Sequence, residues 1–427
     1  MRNRRYWLGA LALTASGAVC ADQALTMEEL DRRLASLEES SASSAASSVS
    51  DRISINGFIT YGVTRHNVHQ NQGPGGPGPL ANPSAGEPFF YRERTTDDIS
   101  HRELSRVGVQ INAEINERTK AVMQILARGR DNYDAEAQWA YIDYAITPSL
   151  HWRGGRLMLP NSMHSQYLNV GYAYHWAALP SEVYDIVPFD TMDGMDLTWS
   201  FRTGNISHDL SAFYGSLDVP DNTLPFTVVY EGRNYTGINL RSRWNDFSTW
   251  LSYSHSELSA DLSAGGLASA SLDGVPIHGN SVGVQYDNGS LVFMAERSSL
   301  VPHAWFPERW GGYVTSGYRF GKWMPHVTWG ATNSHDNSAV FSSGNPVNAS
   351  LTQANMVRSK SWTLGLRYDI APGVDVKLEA QQFYDMSNDK LLETGSNVNG
   401  MFTTSTSAGA IERDDPTVYR ITVDAVF

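Results

Sequence analysis

The sequence predicts an all-β chain closed into a transmembrane antiparallel β-barrel of about sixteen strands, with a short N-terminal helical segment that carries a coiled-coil seam. Three observations predict it. A secretory signal is followed by no further apolar run long enough for a helical span. A two-residue hydrophobic alternation recurs from residue 53 to the last residue. Short and long connections alternate between the strands so formed.

The signal occupies residues 1–21. Arg2, Arg4 and Arg5 make a positive start, the stretch from Tyr6 to Val19 is largely apolar and small, and Val-Cys-Ala at 19–21 supplies a cleavage pattern after Ala21. Val19 fits poorly before a lipidated cysteine, which weighs against a lipoprotein signal at Cys20. Cleavage removes the only cysteine and three of the 32 basic residues. It leaves 29 basic against 45 acidic, a formal charge of −16. Disulfides and thiol chemistry are excluded, and the acidic balance argues against a nucleic-acid partner. With no second apolar helix, a closed barrel is the remaining way to cross lipid. In residues 22–39, Met27, Leu30, Leu34 and Leu37 fall at heptad spacing, which suits either a small coiled coil in an oligomer or a surface arm. Residues 40–50 form a Ser/Ala-rich linker.

The barrel is expected over 51–427. Ile53, Ile55, Gly57, Ile59, Tyr61 and Val63 set the period, and Val107 to Ile115 repeat it. Further strands fall near 120–129, 138–146, 150–159, 195–203, 207–215, 234–243, 247–255, 279–287, 291–298, 311–320, 323–332, 361–370 and 374–384. The last, 417–427, puts Tyr419, Ile421, Val423, Ala425 and Phe427 on one face, an apolar row ending on a terminal aromatic. Tight turns at 116–118, 147–149, 204–205, 244–246, 287–289, 321–322 and 371–373 alternate with long connections at 66–104, 160–194, 256–278, 333–360 and 385–416. Both barrel ends lie on the short-turn side, so the strand number is even, sixteen or eighteen.

A barrel of sixteen strands is wide enough for an aqueous lumen. The inward face of this pattern carries both charge signs, including Glu114, Lys120, Arg128, Asp143, Arg153, Glu296, Arg367, Lys377, Glu379, Arg420 and Asp424. Gly154-Gly155 is expected to form a bulge in the fifth strand. After it, the connection 160–194 is centred on Tyr167–Trp176, too aromatic for a solvated loop, and is expected to fold into the barrel.

Here the chain resembles the trimeric outer-membrane porins of Gram-negative bacteria, whose third external loop narrows the pore. The resemblance covers the plan of nearly the whole mature chain through loose motifs, and the compact acidic motif common in that loop is missing. It implies a homotrimer in the outer membrane, in contact with lipid and lipopolysaccharide, recognised by the assembly machinery through Phe427. It implies passive diffusion of small hydrophilic solutes and ions, with no catalysis and no cofactor. Carried over by position, the constriction would set Glu182, Asp185 and Asp190 against Arg106, Arg128, Arg153 and Arg156. The acidic excess suggests weak selectivity with a modest preference for cations.

The alternative is a substrate-specific channel, for example for sugars, with Phe58, Trp139, Tyr141, Tyr172, Tyr174 and Trp176 as a lumenal aromatic track. Tyr144, Trp199, Tyr253, Tyr286, Trp329, Trp362 and Tyr419 are read instead as outward members of the interfacial girdles. An enzyme is not expected. His151, His164, His175, His208 and His326 are scattered, and no nucleophile, phosphate-loop or metal motif accompanies them. Asp385 to Asp389 is too short for a calcium loop. The Gly/Pro-rich 73–83 and the polar segments 333–357 and 395–408 would suit surface tips of a receptor or adhesin.

Overall fold

A computed structural model describes residues 52–67, 89–90, 98–187, 189–221, 228–264, 268–302, 308–335, 358–385, 402–403 and 415–427. The expected signal, helical segment and linker, and the Gly/Pro-rich stretch, lie outside them. So do most of the polar segments 333–357 and 395–408.

Sixteen antiparallel strands close into one barrel. They are β1 Ile53–His66, β2 Arg106–Asn116, β3 Thr119–Arg128, β4 Ala135–Thr147, β5 Leu150–Met158, β6 Thr191–Thr203, β7 Ile206–Asp221 and β8 Val228–Trp244. The other half comprises β9 Phe247–Ala264, β10 Ala268–Asp287, β11 Leu291–Pro302, β12 Glu308–Tyr318, β13 Trp323–His335, β14 Arg358–Ala371, β15 Val374–Tyr384 and β16 Thr417–Val426. Each pairs with its sequence neighbours, and β1 closes on β16 with Phe58 opposite Val426 and Gly62 opposite Thr422. Closure satisfies backbone groups that a lipid-facing edge would leave bare.

The two-residue period divides each strand as lipid demands. Ile59, Tyr61, Leu251, Tyr253, Leu364, Tyr419 and Ile421 are exposed outward, while Thr60, Thr64, Ser252, Thr363, Arg420 and Thr422 are buried inward. Of the expected girdle rings, Tyr144, Trp199, Tyr253, Trp362 and Tyr419 are exposed. Phe427 ends the outward row of β16. Its amide donates to the Gly57 carbonyl at 2.9 Å, and Gly57 returns the bond at 2.7 Å. The Phe427 ring covers the face of Gly57, where a Cβ would collide with it.

Two expectations are corrected. The connection 256–278 is mostly strand, because β9 and β10 pair from Phe247 opposite Tyr286 out to Ala264 opposite Ala268, with one register shift after Leu258. From Ser259 to Ser271 the residues are mostly Ser, Ala and Gly, small side chains that give the alternation little contrast. The Gly154-Gly155 bulge is also absent: residues 151–156 pair with β4 in unbroken register. Gly155 instead takes φ +137°, and a Cβ there would meet the Ala140 carbonyl, so the pair serves close backbone approach.

Candidate pore constriction

The segment 159–190, between β5 and β6, passes inside the barrel. It begins with two short 3-10 turns, Ser165–Tyr167 and Gly171–Ala173, and ends with the helical turn Ser181–Tyr184. Such irregular backbone leaves carbonyls without ladder partners, and at this depth they must be satisfied by the wall. Lys377 Nζ donates to the Gly171 carbonyl at 2.5 Å, and Arg367 donates to the carbonyls of Tyr172 and Tyr174 at 3.0 and 3.1 Å. Arg241 donates to the Met163 carbonyl at 2.9 Å. These wall cations therefore hold the segment in place.

Its side chains dock with equal specificity. Trp176 is buried and donates to Thr328 Oγ1 at 2.9 Å. Glu296 accepts from the Met163 amide at 2.6 Å, from the Tyr184 hydroxyl at 2.8 Å and from Ser281 at 3.0 Å. Tyr174, Trp176, Val183 and Tyr184 pack with Val292, Met294, Tyr313 and Met324 into an apolar cluster. Gly171 lies so close to the wall that a Cβ would meet Asp424 and Thr60. Likewise, a Cβ at Gly311 or Gly330 would strike Glu182. Burial pushes the Glu182 carboxyl above the usual carboxylate range and holds His175 well below the usual imidazole range, with His326 and nearby arginines adding to the second effect. Burial on the docked face of the segment thus penalises the charged form of both groups.

The expected constriction residues separate into two sets. Arg106 and Arg128 are opposite each other in the β2–β3 ladder. Arg106 donates to the Tyr174 hydroxyl at 2.5 Å, and Arg128 lies 3.6 Å from Asp190 and 3.6 Å from Asp131, with Glu136 and Gln138 as further partners. These two arginines, Arg130, Asp185 and Asp190 line one recess of about 640 Å³ beside the segment. Arg153 and Arg156 lie elsewhere, on β5, bidentate to Asp196 and Asp193 of β6. Glu182 turns away from the passage and accepts from Ser361 Oγ on β14. Arg130 and Asn169 join the cluster without having been expected. Neither carries a periodic signal, since one lies in a short turn and the other within the irregular segment.

Inward charges differ in exposure around the barrel. Glu114, Lys120, Asp143, Arg153 and Asp196 form a cross-strand row of alternating sign on β2 to β6, and Lys120 keeps 46% of its side chain exposed. On β15 and β16, Lys377 and Asp424 are buried beneath the segment. The inward charges of β2 to β5 are thus more exposed than those of β15 and β16. Of the six aromatics considered as a track, Phe58, Tyr172, Tyr174 and Trp176 are buried, and Tyr141 lies under the Arg153 guanidinium at 5.4 Å. The Trp139 Nε1 is also buried, with no hydrogen-bond partner among the described residues. Of the four buried rings, Tyr174 also lines the recess of Arg106 and Arg128. Among the described residues, no group of three His, Cys, Asp or Glu side chains could hold a metal ion.

The model of the Gram-negative porin family matches residues 34–391. Among curated proteins, none matches by sequence. Three solved structures share the architecture over 88% of this chain. They are a loop L8 deletion mutant of OmpT, an outer membrane protein of Vibrio cholerae (10% identity, all of that chain, TM-score 0.51), Salmonella typhi OmpF in complex with daunomycin, and the outer membrane channel DcaP of Acinetobacter baumannii. The latter two are each 11% identical, with 97% of that chain covered and a TM-score of 0.52. At such identities the likeness concerns the fold.

Proposed function

We propose, from the premise that this chain belongs to the Gram-negative porin family, that its channel is weakly selective, with a modest preference for cations. The protein lies in the bacterial outer membrane and forms a water-filled channel for passive diffusion of small hydrophilic solutes. Its family and fold are those of a channel rather than an enzyme.

The observation that carries the selectivity reading is the Arg106, Arg128 and Asp190 cluster beside the docked segment. Arg128 is surrounded by the carboxylates of Asp131, Glu136 and Asp190, so its charge is largely balanced locally. The acidic excess of the chain then biases the vestibules. Screening within about 10 Å at ~0.1 M salt keeps that bias small. We further propose a homotrimer whose Phe427 is read by the assembly machinery, whose outer face meets lipopolysaccharide, and whose residues 1–21 are removed on export.

Reversal potentials across a KCl gradient test the selectivity. The expected ratio slightly favours potassium. A unit charge about 10 Å from a passing ion is worth roughly 0.4 kcal/mol in water, near a two-fold effect. Arg128→Ala should raise the potassium preference by about that factor, and Asp190→Asn should lower it. Clear anion selectivity of the unmodified protein would sink the reading. Current steps grouped in threes test the trimer.

A further inference from the structure

On the external side of the docked segment lies a second recess, of about 940 Å³, part of it open to solvent. Its floor is hollowed by small residues on β8 to β11. Gly232, Ser252, Ser254, Ser256, Gly279 and Ser298 line it, and Ser254 and Gly279 are cross-strand partners. Apolar side chains complete the lining, Leu159 and Phe189 from the segment and Leu217, Tyr235, Leu258 and Leu300 from the wall. Among the described residues Asp190 is the one charged side chain that lines it, and Asp190 also lines the recess of Arg106 and Arg128. The two spaces therefore adjoin along the passage.

The hydroxyls of this floor are not equivalent. Ser252 donates to the Pro160 carbonyl at 3.0 Å and Ser256 to the Arg233 carbonyl at 3.1 Å. Ser298, 6% exposed, has no hydrogen-bond partner for Oγ among the described residues. A buried hydroxyl left unpaired costs free energy, which a ligand group could recover. The absence of lysine, arginine and glutamate disfavours ions, because a low-dielectric apolar lining would strip their water without compensation.

We propose that this recess is a transit-binding site for uncharged solutes with an apolar ring on one face and hydroxyl groups along the edge. The ring seats under Leu217, Tyr235 and Leu300, and a hydroxyl pairs with Ser298. The proposal rests on the channel reading, which KCl conductance reports separately.

Three probes added to the external side of the full-length protein in planar bilayers separate the contributions. Phenyl β-glucoside carries ring and hydroxyls, glucose lacks the ring, and phenyl β-glucuronide adds a carboxylate. Phenyl glucoside should interrupt the KCl current with resolvable blockades, and the other two should bind at least ten-fold more weakly. Ser298→Ala should weaken the phenyl glucoside blockade about five-fold with unchanged open-channel conductance. Ser254→Leu, which fills the floor, should abolish it. Equal blockade by all three probes, no blockade by phenyl glucoside, or blockade untouched by both substitutions would overturn the proposal.

Discussion

Lys377 holds the docked segment from the wall, and Glu182 holds the wall from the segment. Lys377, fully buried, lies 2.9 Å from Asp424 and also holds the Gly171 carbonyl. Removing it strands a buried carboxylate and a loop carbonyl together. Lys377→Met is therefore expected to destabilise the docked state by about 3–5 kcal/mol, the usual cost of breaking a buried ion pair from one side. Increased open-channel noise and faster protease cleavage between 159 and 190 would register it. Glu182 brings a pH dependence. Burial raises its pKa, so the docked form keeps a proton that the undocked form releases at the ordinary carboxylate value. The docked form binds more protons, and its stability falls as pH rises through the raised value. Channel noise should be lower near pH 4.5 than near pH 7.5, and Glu182→Gln should flatten the difference while keeping an acceptor for Ser361. Equal pH dependence in the variant would rule Glu182 out as the cause.

At the scale of the element, the inward segment is attached to a wall that stands without it. Every barrel strand pairs with two neighbours, so the segment contributes no rung to the ladder. Gly171 approaches the wall closely, and a side chain there has no room between Thr60 and Asp424. Gly171→Val should lift the segment into the passage or off the wall, changing single-channel conductance by tens of per cent, while circular dichroism still reports an intact barrel. Unchanged conductance would mean that the 3-10 turn Gly171–Ala173 does not border the passage. The β9–β10 hairpin teaches a separate point. Its outer half is strand in a stretch made mostly of Ser, Ala and Gly, and backbone pairing continues the ladder there.

At the scale of the molecule, closure joins residues 360 or more positions apart, Gly62 to Thr422 and Gly57 to Phe427. The seam closes by strand pairing and by the Phe427 ring over Gly57. Phe427→Ala is expected to lower the yield of folded barrel, measured as the fraction that keeps its compact electrophoretic mobility without heating. The barrel that does form should conduct normally, since Phe427 lies on the outer face. A conductance change instead would show that the seam shapes the lumen. Inside the closed wall, the segment packs against β11 to β13, while the inward charges of β2 to β5 stay more exposed than those of β15 and β16.

Lipid on one face and water on the other impose a strict period of two, so the inward register and the outward row ending at Phe427 are legible in local alternation, while the strand number is legible only as sixteen or eighteen. Glu114, Lys120, Asp143 and Arg153 were assigned inward on that ground alone, and their ladder puts them in one cross-strand row. The aromatic content of 167–176 likewise pointed to a segment inside the barrel. Alternation states which way a side chain faces but not what it meets there. Whether Glu182 faces the passage or Ser361, whether Arg153 answers the segment or Asp196, and whether Trp176 greets a solute or Thr328 depend on how an aperiodic segment settles on a curved wall. Only the tertiary structure decided those pairings, because they join residues whose separation along the chain carries no repeating signal.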